Sequence, residues 1–160
     1  MKSFGTWEHR LGHYTKRINS AFIQRLEAMK PSTKDDLNTA WFGEYTETVQ
    51  HYNHNRYHAL NLNNIWRTGT IEVRAPNGTS HAGEIKAHIH LCLAIAAKAL
   101  IAKSASRKGQ REYSTRNAKY DTRVFLRSLG VIGDEFKNTR MLLLKLLPGS
   151  TAWKNGQRAA

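Results

Sequence analysis

The feature that most limits how this chain can fold is the stretch from Ser80 to Lys103, where apolar side chains recur at a helical period. Ile85, Ile89, Cys92, Leu93, Ala96 and Leu100 form a continuous stripe, and the second half of the stretch is apolar nearly all round. A helix that is apolar on every side has to be covered, by protein or by lipid. Crossing a bilayer takes about 20 predominantly apolar residues, and Leu91–Ala102 is too short and carries Lys98 inside it. The expectation is therefore a soluble, cytoplasmic protein organised around a central buried helix with no membrane partner. Glu84 falls in the first turn of that helix, where a carboxylate suits the positive end of the dipole.

Shorter elements lead up to it. Asn19 or Ser20 can cap a helix carrying Phe22, Ile23, Leu26 and Met29, which Pro31 must end. Ser32 or Thr33 can cap a second, with Asp35 and Asp36 in its first turn, Leu37, Ala40 and Trp41 on its apolar side, and Gly43 as its stop. The polar, histidine-rich segment 46–56 reads as a loop. Tyr57–Leu62 alternates imperfectly and Thr70–Arg74 cleanly, so both read as strands. After the long helix, a fourth is expected from Ala118 to Leu129, closed by Gly130. A fifth is expected after Asp134 as cap, with Phe136, Leu143, Leu144 and Leu147 inward until Pro148-Gly149. The fold class is α+β: helix-rich, with short antiparallel strands packed on a long buried helix. Residues 1–160 read as one domain, with a mobile basic connector over 104–115 and a frayed tail over 149–160. Met1–Gly5 has neither the apolar core nor the cleavage site of a secretory leader.

Candidate chemistry concentrates on the second strand. Alternation puts Thr70, Glu72 and Arg74 on one face, and Ile71 and Val73 on the other, which should pack on the long helix. A carboxylate and a guanidinium about 7 Å apart along a strand can hold a divalent cation and a polyphosphate. Glutamate oxygens suit Mg²⁺, and the planar guanidinium fork suits phosphate oxygens. The same two residues can equally pair with each other on an ordinary surface strand.

A wider set of motifs bears on that choice. Arg56-Tyr57-His58-Ala59-Leu60-Asn61-Leu62-Asn63 precedes Gly69-Thr70-Ile71-Glu72-Val73-Arg74, and Asn77-Gly78-Thr79 opens the long helix. With Ala87–Ala94, Lys119–Arg123 and Leu129–Lys137, this pattern from about Ile18 onward resembles the carboxy-terminal portion of the amidoligase family. The resemblance implies a partial glutamine synthetase-like fold and an ATP-dependent carboxylate–amine ligase. Its substrates would be an acid and an amine, among them peptides. It assigns Glu72 to Mg²⁺ or Mn²⁺ and Arg74 to phosphate, with Arg56, Asn61 and Asn63 as nucleotide or substrate contacts. Thr79 either joins that site or caps the helix. The family's amino-terminal Glu-x-Glu strand has no match here. The expectation is thus a truncated chain, or one working with a complementing amino-terminal half or as a homo-oligomer.

Charge supports a second reading. Twenty-five Lys and Arg against twelve Asp and Glu leave +13, a field that attracts polyanions. Lys103, Arg107, Lys108, Arg111 and Arg116, with Trp66, Tyr113 and Tyr120 for stacking, make non-catalytic nucleic-acid binding the alternative. No recognised nucleic-acid-binding motif accompanies them. The lone Cys92 allows no internal disulfide and reads as an inert core thiol. His51, His54 and His58 would share a face only on a helix, which Asn53 and Asn55 disfavour, so a metal role is not expected of them. His88 and His90 point in different directions and read as structural.

Overall fold

The computed structural model describes residues 2–104 and 113–155. Among them it forms helices and one small antiparallel sheet, an α+β arrangement with few strands. The chain divides into two compact units, Thr6–Asn77 and Lys2–Gly5 with Gly78 onward.

In the first unit, α1 (Glu8–His13) is followed by an antiparallel pair, α2 (Ser20–Met29) and α3 (Lys34–Phe42). Their ends obey local chemistry. The Asn19 side chain accepts from the Ala21 amide, and Lys30 adopts a left-handed φ of 48° immediately before Pro31. Thr33 and Asp36 exchange hydrogen bonds in a capping box, and Gly43 closes α3 at φ 97°, a conformation glycine reaches without penalty. The helices bury Phe22, Ala40 and Trp41 with Leu62. Phe22 and Trp41 meet edge to face at 4.8 Å, an aromatic pair worth about 0.5–1.5 kcal/mol beyond its buried area. Asn38, 1% exposed, closes the turn after α3 by donating to the Thr46 carbonyl and accepting from the Thr46 amide.

The sheet is smaller than the alternation predicts. β1 (Leu60–Asn61) pairs with β2 (Glu72–Val73), Leu60 opposite Val73 and Asn61 opposite Glu72. Lys16 adds a parallel bridge on the outer side of β1 through Lys16 N–H to Tyr57 O and Ala59 N–H to Lys16 O. The ladder stops after Asn61 because the one-turn helix α4 (Asn64–Arg67) turns the backbone away. A four-residue turn is below the length at which periodicity can reveal a helix. The expected burial is also reversed. Ile71 and Val73 are exposed at 58% and 40%, while Asn61 on the opposite face is 2% exposed.

In the second unit, α5 (Ala82–Ile101), α6 (Ala118–Ser128) and α7 (Lys137–Leu144) enclose Ala87, Leu91, Leu126, Val131, Leu143 and Leu147. α5 starts two residues after Ser80, and its cap is His81, whose Nδ1 accepts from the Glu84 amide, not Thr79. α5 is not buried all round. Ile85, Ile89, Leu93 and Leu100 are 43–88% exposed, so the stripe read as the core face is open among the described residues. The side carrying Ala87, Leu91 and Ala94 packs on α7 instead. Both faces are apolar, and the alanine side gives closer approach; a hydrophobic period alone cannot choose between them. Cys92 is half-buried, and burial pushes its thiol pKa up. His88 packs on Phe4, and His90 bonds the Thr139 hydroxyl and meets Phe136 edge-on.

α6 ends near Gly130 at φ 78° as expected. α7 starts later than its predicted cap. Asp134 contributes only its carbonyl, to the Lys137 amide, and Phe136 occupies the cap without a side-chain bond. At the other end Gly149, at φ 93°, passes so close to the turn before α6 that a Cβ there would lie 2.5 Å from the Arg116 carbonyl oxygen. Residues 105–112 of the expected connector and 156–160 of the tail lie outside the described residues.

Candidate active site

The polar face of the β1–β2 pair is built as one hydrogen-bonded frame. Because Asn61 sits opposite Glu72, its Nδ2 reaches the carboxylate and donates to Oε2 at 2.8 Å. Two residues along β2, Arg74 folds back and donates from Nη1 to Glu72 Oε1 at 2.9 Å. The expected 7 Å spread between carboxylate and guanidinium has closed into an ion pair, the arrangement an alternating strand allows whenever nothing separates the two groups. Glu72 keeps 40% of its side chain exposed, whereas Arg74 keeps 15%. The carboxylate is thus the accessible member of the pair.

Arg74 is held from several sides. Its Nε donates to the Tyr14 carbonyl at 3.1 Å, and its guanidinium lies 5.7 Å from the centre of the Tyr57 ring. Arg10 on α1 fixes the backbone beyond it, donating to Arg74 O, Pro76 O and Asn77 Oδ1. Thr6 adds a bond to Ala75 O. Arg10, Tyr14 and Tyr57 were invisible as site residues, because they lie outside the strand motif or carry no chemistry in the pattern. The parallel Lys16 bridge brings the Tyr14 carbonyl alongside.

Behind Glu72 the frame continues inward. Asn61 Oδ1 accepts from the Asn63 amide at 3.0 Å, and Asn63 Oδ1 accepts from Trp41 Nε1 at 2.7 Å. Asn61 and Asn63 are 2% and 1% exposed. Asn63 Nδ2 and Arg56 Nε are buried without a partner, and a buried polar atom left unpaired costs about 1–3 kcal/mol. Arg56 otherwise donates to His51 O and lies over the rings of Tyr52 and Tyr57. So the structure joins Asn61, Asn63, Glu72 and Arg74 into one network, with Arg56 against the same Tyr57 ring that Arg74 covers.

Thr79 belongs to the second unit and is engaged at the start of α5. Its hydroxyl donates to Glu84 Oε2 and accepts from the His81 amide. Glu84 also takes an ion pair from Lys145, and the Lys145 and Thr79 bonds together hold its carboxyl pKa below the usual range. Of the basic set, Lys103 and Arg116 are exposed, and Arg107, Lys108 and Arg111 lie outside the described residues.

The residues present do not build a resident metal centre. Among the described residues no three His, Cys, Asp or Glu side chains gather to hold an ion, and both Glu72 oxygens already accept hydrogen bonds. A magnesium ion arriving on a nucleotide carries phosphate and water ligands of its own and asks the protein for one or two carboxylates. Glu72 can supply one.

A family model described as "Putative amidoligase enzyme" matches residues 2–96. The match takes in α1 and the whole β1–β2 frame and ends within α5, ahead of the 119–123 and 129–137 blocks. No curated protein and no solved structure matches the chain significantly.

Proposed function

The chain belongs to the amidoligase family, and from that premise we propose that it serves an ATP-dependent ligation of a carboxylate to an amine, with Glu72 and Arg74 facing the phosphates. In that reaction a substrate carboxylate oxygen attacks the γ-phosphorus and ADP leaves. The amine nitrogen then attacks the acyl carbon, phosphate departs, and the amine's surplus proton passes to solvent. The observation that carries the reading is the Asn61–Glu72–Arg74 frame, which lies inside the matched region and presents an accessible carboxylate beside a fixed guanidinium.

The frame's roles follow from its geometry. Arg74 is anchored by the Tyr14 carbonyl through Nε, so its Nη groups can leave Glu72 for phosphate oxygens without the side chain losing its place. Asn61 keeps the Glu72 carboxylate aimed while that exchange happens. Glu72, released on one oxygen, would offer a carboxylate ligand to a magnesium ion brought by the nucleotide. Charge transferred from the carboxylate to phosphate is met by preorganised donors, the largest common source of rate enhancement. Whether a complementing amino-terminal half contributes further carboxylates is part of the same proposal.

The test is calorimetric titration of Mg·ATP into the protein and into Glu72→Ala and Arg74→Gln. Weakened binding in both variants supports the assignment. Equal binding by all three proteins refutes it.

A further inference from the structure

A cavity of about 150 Å³ opens in the first unit. Asn19, Arg25 and His58 line it together with Phe22, Trp41 and Phe42, and its accessible lining is mainly polar. From the sequence, Asn19 reads only as a helix cap, Phe22 and Trp41 only as core residues, and His58 was set aside as a metal ligand.

Each polar group has one function already committed and one left over. Arg25 Nε donates to Ala40 O at 2.6 Å and Nη2 to Trp41 O at 3.4 Å, which pins the guanidinium against the last turn of α3. It makes no ion pair among the described residues. The Asn19 oxygen accepts from the Ala21 amide, leaving its NH₂ as a donor. His58 Nδ1 lies 2.8 Å from the Asn55 carbonyl. A carbonyl only accepts, so in the neutral ring the proton sits on Nδ1 and Nε2 offers a lone pair.

A cation and an amide donor, with an imidazole acceptor, match a molecule that carries a carboxylate and an N–H group. Size narrows the class further. Pockets for drug-sized ligands measure roughly 300–1,000 Å³, so a nucleotide does not fit this one, and a single small amino acid does.

We propose that this cavity seats a small α-amino acid, its carboxylate on Arg25 and Asn19 and its amine against His58 Nε2, as the amine substrate of the ligation. This rests on the ligase reading. It also has a physical link to the strand frame: the indole of Trp41, which lines the cavity, bonds Asn63, which bonds Asn61, which bonds Glu72. An occupant pressing on Trp41 therefore acts on the same network that aims the carboxylate.

The test uses the ¹⁵N-labelled full chain and follows the Trp41 indole N–H by NMR during titration with L-alanine, acetate or methylammonium. Small ligands bind weakly, so titrations run to about 50 mM. The expected result is a saturating shift with L-alanine and binding at least about tenfold weaker for acetate or methylammonium alone. Arg25→Gln should abolish the shift. Since Arg25 also ties down α3, Asn19→Ser provides a second variant that keeps an N-cap oxygen while removing the amide donor; it should weaken L-alanine binding severalfold. No saturating shift, or equal binding of acetate and L-alanine, or binding unaffected in both variants, overturns the proposal. Mg·ATP is titrated in parallel into wild type and Glu72→Ala. A Glu72-dependent nucleotide response without an L-alanine response overturns the cavity alone. An L-alanine response without a nucleotide response overturns its assignment as a ligase substrate.

Discussion

Asn61→Ala should be the most informative single change in the first unit. The side chain is 2% exposed and has both ends committed, donating to Glu72 Oε2 and accepting from the Asn63 amide. A bond to a charged group contributes about 1.5–3 kcal/mol, and Glu72 is 40% exposed, so solvent screening reduces this to about 1 kcal/mol. The orphaned, buried Asn63 amide adds about 1–3 kcal/mol. The vacated volume adds about another 1 kcal/mol. The sum is about 3–5 kcal/mol, a large part of the stability of a small domain. Urea unfolding followed by tryptophan fluorescence measures it, because Trp7, Trp41 and Trp66 all lie in the first unit and only Trp153 in the second. With a slope of about 1–3 kcal/mol/M, the midpoint should fall by at least about 1 M at unchanged slope. Nucleotide affinity should fall as well, because Glu72 loses its aim. A midpoint shift corresponding to less than about 0.5 kcal/mol, the range of ordinary surface changes, would show that the frame is not load-carrying in the way its geometry implies.

Further outcomes follow from other contacts. Gly149→Ala should destabilise the second unit by more than about 2 kcal/mol, since a left-handed φ costs about 1–2 kcal/mol for an L-residue and the new Cβ would meet the Arg116 carbonyl; thermal unfolding measures it. Arg10→Met, which keeps the apolar stem and removes all donors, should lower first-unit stability by about 2–3 kcal/mol through the loss of charge-assisted bonds to Arg74 O, Pro76 O and Asn77 Oδ1. Burial pushes the His88 pKa below its ordinary 6.5, so the unfolded chain takes up the proton first. Stability of the second unit should then be full above pH 6.5 and decline as pH falls below it, and His88→Phe should flatten that slope in hydrogen exchange of α5 amides.

How much of this was legible in the sequence varied with the kind of signal. Asn19, Thr33, Asp36 and Gly43 act within a few residues of where they stand, so α2 and α3 were bounded almost to the residue. Asp134 and Thr79 failed as caps because backbone turns after them delayed the helices, and Phe136 and His81 took the cap positions. Alternation put Glu72 and Arg74 on one face and the family resemblance added Asn61, but neither showed their partners: Trp41 lies 22 residues from Asn63 and Tyr14 lies 60 from Arg74. Alternation also says which residues share a face without saying which face is covered. That is why the sheet and α5 each turned out with the burial opposite to expectation.

The separation in sequence between Arg10 and its acceptors has a consequence for how the protein forms. Those bonds span 64 to 67 residues, so they close a loop whose entropy must be spent before any of the contacts is gained. On the ribosome, α1 emerges ahead of its acceptors and has nothing to grip until the residues after β2 have left the exit tunnel. α1 is therefore a late piece of its unit to lock, and the backbone at Arg74 is fixed only when Arg10 docks on it.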